Sequence, residues 1–268
     1  MASKLIDLEK RRYDSMKKYA IRQALEQLDS ERPGFVPKPF VALIAAYEEE
    51  GNIGPVLEKM PTLVLGEPYT TIVVVDGGDD RTAEICRTFP EVIVIEFPVN
   101  LGHGVALQVG YRFCIERGAQ YIVTLDADGQ NDPVELPELI RDIVEDRSDF
   151  VLASRRLGVD TTENHFRAVG VRVFSFIVNV MTRQRLTDTS TGYRGLRVSM
   201  LADVIDRLEQ EQYQTSELLI TSLKRGWRVS EVPTVWHPRQ SGTTKKGSNW
   251  LFGFRYARVV FKTWWRER

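Results

Sequence analysis

The chain has 268 residues, 43% hydrophobic and 27% charged, enough to bury a full core as one large domain or two merged lobes. Its 36 Lys and Arg balance 37 Asp and Glu to a net charge of −1, so no global field draws it to nucleic acid. Cys86 and Cys114 stand in no metal or redox spacing, and the longest attempt at a membrane span, Val169 to Met181, is short and carries Arg172. The first 32 residues or so are dense in Lys, Arg, Glu and Gln, with Leu5, Ile6, Tyr13, Met16, Ala20, Ala24 and Leu28 recurring at spacings of mostly three and four. That pattern predicts an amphipathic helix closed by Arg32-Pro33-Gly34. Packing on the body, pairing with a second copy and lying on a membrane are its three options, and its mixed charge favours packing.

From Phe40 the chain alternates. Val41 to Ala46 reads as a buried strand, followed by Tyr47-Glu48-Glu49-Glu50 and a helix through Leu57. Thr71 to Val75 is a second strand, ending in Asp76-Gly77-Gly78-Asp79-Asp80-Arg81-Thr82, with a helix from Ala83 to Phe89. A third strand spans Val92 to Phe97, then Asn100-Leu101-Gly102-His103-Gly104 leads into a helix from Val105 to Arg117. The fourth strand begins at Tyr121 and ends in Asp126-Ala127-Asp128-Gly129-Gln130. This rhythm predicts a parallel sheet with right-handed crossovers. Gly102-x-Gly104 opening a helix is part of a dinucleotide fingerprint, but the third glycine would fall at Leu107, which argues against a nicotinamide-binding domain.

Polar residues follow successive strands at Asp76, Asn100 and Asp126/Asp128, making one carboxyl-edge rim, the place where open α/β sheets bind ligands. On an extended backbone residues i and i+2 share a side, so Asp126 and Asp128 are predicted to face one ligand. Two hard carboxylates with room for water and phosphate oxygens suit Mg²⁺ or Mn²⁺. The alternative for an isolated Asp-x-Asp is a polar strand end followed by a turn.

The ordered motifs resemble a known family, the GT-A, family-two inverting glycosyltransferases, and within it the branch of dolichol-phosphate mannose synthase and bacterial polyprenyl-phosphate glucosyltransferases. The resemblance covers about residues 38 to 245. Ala45-Ala46-Tyr47-Glu48-Glu49-Glu50-Gly51-Asn52-Ile53 is similar to the first-strand motif Pro-x-Tyr-Asn-Glu with Asn-Ile beyond, and Val75 to Thr82 to Asp-Asp-Gly-Ser-x-Asp-x-Thr. Asn100 to Ala106 is similar to Asn-x-Gly-x-Gly-x-Ala, and Asp126 to Gln130 with Pro133 to the metal motif. Farther on, Ala153-Ser154-Arg155-Arg156, Asp188 to Arg194, Glu217-Leu218-Leu219, Glu231-Val232-Pro233 and Arg239 to Lys245 complete the series. Val75 stands where the family has the first of two aspartates, Glu48 replaces Asn, and Val171 occupies the place of a serine one turn after Arg167.

The resemblance implies an α/β GT-A fold, a mostly parallel nucleotide-binding sheet merged with an acceptor-binding half, flanked by the N-terminal helix and a C-terminal amphipathic one. The expected division is 1–34 for the helical extension, 35–150 for the nucleotide-sugar half, 151–238 for the acceptor half, and 239–268 for an active-site loop and terminal helix. It implies Asp126 and Asp128 as metal ligands with Gln130 as helper. A GDP- or UDP-sugar donor is implied to meet Ala46, Tyr47, Glu49, Asp76, Gly102, Gly104, Asp126, Ala127, Asp128, Arg239 and Lys245. Asp76 would bond base or ribose, or else cap a turn; the two glycines would let backbone approach the donor, or else serve turn geometry. Arg155, Arg167 and Arg172 are the candidate clamp for an anionic acceptor. The reaction would be direct displacement with inversion, a hexose (mannose or glucose) passing to a polyprenyl phosphate. Asp128 would serve catalysis as a metal and diphosphate ligand; a hydroxyl acceptor, as in glycan synthesis, would need a base, for which Asp188 and Glu217 are the two candidates, otherwise a loop cap and a buried structural carboxylate. A catalytically silent nucleotide-sugar-binding protein is the rival of another class.

The last segment carries Trp250, Phe254, Ala257, Phe261 and Trp264 at alternating four and three residues, flanked by Arg255, Arg258, Lys262 and Arg266. Aromatics beside cations predict an interfacial helix. The expected setting is cytoplasmic and peripheral on the inner face of the cell membrane, with nucleotide sugar, lipid-phosphate or glycan acceptor and membrane surface as partners, no nucleic acid, and a second copy of the chain as a candidate.

Overall fold

The computed structural model describes residues 2–162, 165–212, 214–242 and 249–268, with side chains from residue 10 onward except at 163–168 and 249–254. One seven-stranded sheet organises it. The strands are β1 (Phe40–Ala46), β2 (Tyr69–Val75), β3 (Val92–Glu96), β4 (Tyr121–Asp126), β5 (Phe150–Asp160), β6 (Arg194–Arg197) and β7 (Val229–Trp236), in the spatial order β3-β2-β1-β4-β6-β5-β7. The first four are parallel, as the alternating sequence predicts, whereas β6 runs antiparallel to both β4 and β5.

The helices are α1 (Ala2–Glu31), α2 (Ile53–Glu58), α3 (Thr82–Arg87), α4 (His103–Glu116), α5 (Leu136–Val144), α6 (His165–Thr182), α7 (Val198–Val204), α8 (Gln214–Lys224) and α9 (Asn249–Arg266). Alternate strand residues feed two cores, because successive side chains on a strand point to opposite faces. Val41, Leu43, Ile72, Val74, Ile93 and Ile95 pack with α1, α4 and the helices of the C-terminal half. Ala42, Ile44, Val73, Val75, Val94 and Leu125 pack with α2, α3 and α5. The N-terminal helix packs on the body: Ala20, Ala24 and Leu28 are buried in the core that includes Ile93 and Ile95 of β3.

The strand order reverses between β1 and β4. The crevice outside the carboxyl ends of the strands at such a reversal is where open α/β sheets bind ligands, although the helices that follow β1 and β4, α2 and α5, pack on the same face. Register puts Ala45 beside Asp126 and Ala46 beside Val75, so the segments starting at Tyr47, Asp76 and Ala127 all leave the sheet at one level.

Candidate active site

Three loops make the floor of the crevice. After β1, Glu49 is buried, accepts from Asn52 Nδ2 at 2.7 Å and donates its own N–H to Thr82 Oγ1 at 2.7 Å. After β2, Asp76 is 2% exposed, and its two oxygens accept the backbone N–H groups of Leu101 (2.7 Å) and Gly102 (2.9 Å). The carboxylate of Asp76 therefore ties the loop after β3 to the end of β2. Gly77 (φ +67°) is required there, since a Cβ would lie 2.5 Å from the carbonyl carbon of Val99.

Burial raises the Asp76 pKa to about 6, against the two N–H donors, which lower it. The folded state thus binds a proton more tightly than the unfolded one, whose carboxyl titrates near 4. The stability this group contributes is present below pH 4 and is lost as pH rises to 6, by up to on the order of 3 kcal/mol. Asp76→Asn is expected to flatten that part of the stability-pH curve. Chemical denaturation of both proteins at pH 4 and pH 6.5 checks it, and parallel curves would refute the coupling.

At the end of β4 the chain turns immediately. Asp126 is the last strand residue, Ala127 is buried, and Asp128 lies in a turn closed by Gly129 at φ +74°. The two carboxylates do not share an extended backbone, as the i, i+2 argument assumed; the turn at Ala127 brings them to the crevice instead. Asp126 packs against Gly192, where a Cβ would lie 2.9 Å from its Oδ1, and His103 Nε2 stands 3.8 Å from the same oxygen. Asp128 accepts from Gln130 N–H at 3.1 Å and meets Arg239 Nη1 at 3.4 Å. Arg239 Nη2 also bonds both Glu49 oxygens, at 2.7 and 2.6 Å, so its guanidinium links the first-strand loop to the Asp-x-Asp turn. Gln130, the proposed helper ligand, donates its amide to His237 O at 3.2 Å.

The side chains of Asp126 and Asp128 are 24% and 15% exposed. Among the described residues no three or more His, Cys, Asp or Glu groups could hold a metal together. Two partly exposed carboxylates fit Mg²⁺ or Mn²⁺ of the kind that keeps waters and takes substrate phosphate oxygens. Asp126 and Asp128 would hold it, and it would supply positive charge to a departing diphosphate.

The acceptor-side candidates are placed differently. Arg155 and Asp188 are 5% and 0% exposed and are each other's partners: Arg155 Nε donates to Asp188 Oδ2 at 2.6 Å, and the guanidinium stacks 4.0 Å from the Trp236 ring. The other Asp188 oxygen accepts from Ser190 N–H and Oγ. Glu217, wholly buried, accepts the N–H groups of Glu209 and Gln210 and the Arg266 guanidinium. Arg172 is exposed on α6. The side chain of Arg167 and all of Lys245 lie outside the described residues.

Gly102 and Gly104 turn the positions a Cβ would occupy to another backbone. A Cβ on Gly102 would lie 2.8 Å from Glu211 O, and one on Gly104 2.5 Å from Gln210 O. Two anchors escaped the reading of roles although their motifs were visible. Glu231 accepts the N–H groups of Thr187 (2.7 Å) and Asp188 (2.8 Å) and so fixes the loop that reaches Gly192. Arg194, 1% exposed and with its pKa pushed down to about 10 by burial, donates to the carbonyls of Thr191 and Thr215.

This arrangement has known relatives. A UDP-N-acetylglucosamine–dolichyl-phosphate N-acetylglucosaminyltransferase of Methanococcus voltae is 29% identical over 80% of this chain and 91% of its own length. An undecaprenyl-phosphate mannosyltransferase of Micrococcus luteus is 28% identical over 76% and 86%. Among solved structures, glucosyl-3-phosphoglycerate synthase of Mycobacterium tuberculosis, in complex with Mn²⁺, UDP and phosphoglyceric acid, superposes with a TM-score of 0.68 at 15% identity, covering 89% of this chain and 82% of that one. The fold is thus that of GT-A glycosyltransferases. The sequence profile described as Glycosyl transferase family 2 matches residues 41–205, most of the chain, including the four parallel strands β1 to β4. With its crevice, its Asp-x-Asp turn and that match, the chain belongs to glycosyl transferase family 2 and is a glycosyltransferase.

Proposed function

We propose that this glycosyltransferase moves a hexose, mannose or glucose, from a GDP- or UDP-sugar to a polyprenyl phosphate at the inner face of the cell membrane, with Mg²⁺ or Mn²⁺ held by Asp126 and Asp128. The observation that carries the reading is the outer face of α6. Val169, Val173, Phe176 and Val180 are 56%, 50%, 68% and 63% exposed, and their spacing of four, three and four puts them on one stripe. The opposite stripe, with Val171, Ser175 and Val178, is buried. A helix apolar on both sides with one side open calls for an apolar medium over it.

The neighbouring α9 continues that surface. Phe174 and Tyr256 rings lie 4.4 Å apart, Trp264 donates to Met181 O, and Phe261 and Trp265 are exposed. The buried stripe of α9 is Tyr256, Val259, Val260 and Thr263, rotated from the aromatic stripe that the sequence suggested; Trp250 and Phe254 have side chains outside the described residues. The two helices, 18 residues each, carry Lys and Arg but no Asp or Glu, in a chain where the two signs balance. Lys262 and Arg266 bond to Glu209 and Glu217, while Arg172, Arg255 and Arg258 are exposed. An apolar stripe beside basic residues suits an anionic headgroup boundary, each near-surface cation adding about 1 kcal/mol. Among the described residues no helix is long and apolar enough to cross a membrane, so α6 and α9 would lie on it.

The inner side of α6 leads to the chemistry. Ser175 Oγ accepts from Thr189 N–H at 3.1 Å, and the same loop carries Gly192 against Asp126. A lipid phosphate entering along α6 would meet the sugar donor at that loop, with residues 35–150 serving the donor and 151–238 the acceptor. A phosphate acceptor is ionised near neutral pH and needs no base. That agrees with the commitment of Asp188 and Glu217, the candidate bases, to buried bonds. The names of the dolichyl- and undecaprenyl-phosphate relatives support the same acceptor class.

Flotation with liposomes tests the reading. The protein is expected to float with anionic vesicles at low salt and to release at high salt. Val173→Asp/Phe176→Asp removes two apolar groups that each contribute on the order of 1.5–3 kcal/mol when buried, so membrane partition should fall at least about tenfold with no loss of folding temperature. Wild-type protein that stays at the bottom of the gradient with anionic vesicles at low salt would contradict the membrane reading.

A further inference from the structure

Residues 209–211 cross between four helices, and each of them is tied. The Glu217 carboxylate of α8 holds the N–H groups of Glu209 (3.0 Å) and Gln210 (2.9 Å), and Lys262 of α9 bonds the Glu209 carboxylate. Gln108 of α4 donates to Gln210 O at 3.2 Å. Glu211 O accepts the N–H of Gly104 at 2.7 Å, and its side chain is held by α1: Tyr13 OH donates to Oε2 at 3.1 Å and Lys17 Nζ to Oε1 at 2.9 Å.

The 100–104 loop is therefore gripped from two sides. Asp76 holds the N–H groups of Leu101 and Gly102 on the crevice side. Backbone of 210–211 holds Gly104 from behind, at an approach so close that neither Gly102 nor Gly104 has room for a Cβ. Between those glycines stands His103, 3.8 Å from Asp126 Oδ1. A shift of the 209–211 strap thus moves the loop that borders the Asp-x-Asp turn. Tyr13, Lys17 and Glu211 all lie outside the family match over residues 41–205.

We infer that Glu211 is a positioning residue for the donor-side loop and that Tyr13 and Lys17 hold it there, which makes the N-terminal helix a working part of the donor site. The inference rests on the reading of the β1/β4 crevice as the nucleotide-sugar site. The helix keeps its own anchorage through Ala20, Ala24 and Leu28, so its role in holding Glu211 can be removed without undocking it. Two hydrogen bonds to a carboxylate are at stake, and a loop displaced by a fraction of an ångström meets the donor less well.

The test compares wild type with Tyr13→Phe/Lys17→Met, Lys17→Arg and, on the opposite side of the same helix, Arg22→Ala. Calorimetric binding of UDP and GDP in the presence of Mn²⁺ is read beside folding temperature and beside the donor and acceptor KM. The double variant is expected to bind the nucleotide roughly tenfold more weakly and to show a donor KM raised by the same factor. Acceptor KM should stay unchanged and folding temperature should hold within ~3 °C. Lys17→Arg, which keeps a cation for Glu211, should retain binding, and Arg22→Ala should match wild type. Nucleotide binding by the double variant within twofold of wild type overturns the inference, as does a loss matched by a large fall in folding temperature, which would mark a purely structural contact. If wild type itself binds neither nucleotide, the donor-site reading fails first, and the strap inference falls with it.

Discussion

Asp128→Asn is expected to lower sugar transfer by roughly a thousandfold, about 4 kcal/mol of transition-state stabilisation, while the protein folds as before. The large loss follows from the charge problem at the crevice: a departing nucleoside diphosphate must be neutralised, and Asp126 and Asp128 are the pair that would hold the divalent ion there. The small structural cost follows from the bonding of Asp128. Asparagine keeps an oxygen to accept from Gln130 N–H and weakens a 3.4 Å ion pair with a partly exposed Arg239. Such pairs contribute on the order of 0–1 kcal/mol. Donor turnover and thermal unfolding measured on the same preparation check both halves. Metal-dependent transfer retained at more than a tenth of the wild-type rate would remove Asp128 from the metal site.

The second large effect is on stability and distinguishes two roles for Arg155. As a clamp for an anionic acceptor, its loss would cost transfer and leave the fold alone. Its geometry points elsewhere: Arg155→Ala strips the partner from Asp188, a carboxylate with no exposure, and removes a cation stacked 4.0 Å from Trp236. Breaking a buried ion pair from one side costs about 3–5 kcal/mol, because the remaining charge is stranded. For a chain of this size that corresponds to a fall of roughly 10 °C in folding temperature. The companion variant Arg155→Met/Asp188→Asn, which removes both charges, should recover part of the loss. An unfolding temperature for Arg155→Ala within ~2 °C of wild type would restore the clamp.

The first four strands were legible because they obey simple rules. Val41 to Ala46 and Thr71 to Val75 are unbroken apolar runs of the kind that parallel strands buried on both faces require, and polar residues follow each at the same edge. The rest of the sheet was less so. Arg194–Arg197 is four residues long with an arginine at each end, no strand by composition; β4 and β5 pair with it from both sides. Asp76 was visible as a rim residue, but whether its oxygens face a ribose or two backbone N–H groups depends on where residues 101 and 102 arrive from β3. Asp188 and Glu217 pose the same difficulty: a carboxylate awaiting a proton and one bonded to backbone or Arg155 are the same letter.

The helices divide similarly. The spacing of Ala20, Ala24 and Leu28 announced the buried stripe of α1, and its mixed charge announced that it packs. In α6 apolar residues occupy both stripes, so no periodicity says which one meets the core. Ser175 and Val178 settle it by packing on the 188–191 loop and the neighbouring helices, which leaves Phe176 and three valines outside. In α9 the aromatic stripe and the Tyr256-Val260-Thr263 stripe compete, and packing against Phe174 turns the second inward.

The most direct test is transfer itself. Purified protein would be incubated with labelled GDP-mannose, GDP-glucose, UDP-glucose or UDP-N-acetylglucosamine, Mn²⁺ or Mg²⁺, and a polyprenyl phosphate in anionic vesicles. Label from one donor is expected to pass into an organic-extractable, acid-labile product. Chelation of the metal should stop it, and an equal amount of polyprenol without phosphate should not replace the acceptor. Label that stays in the aqueous phase with every donor, or that moves only to a soluble saccharide or small hydroxyl acceptor, would contradict the proposed transfer.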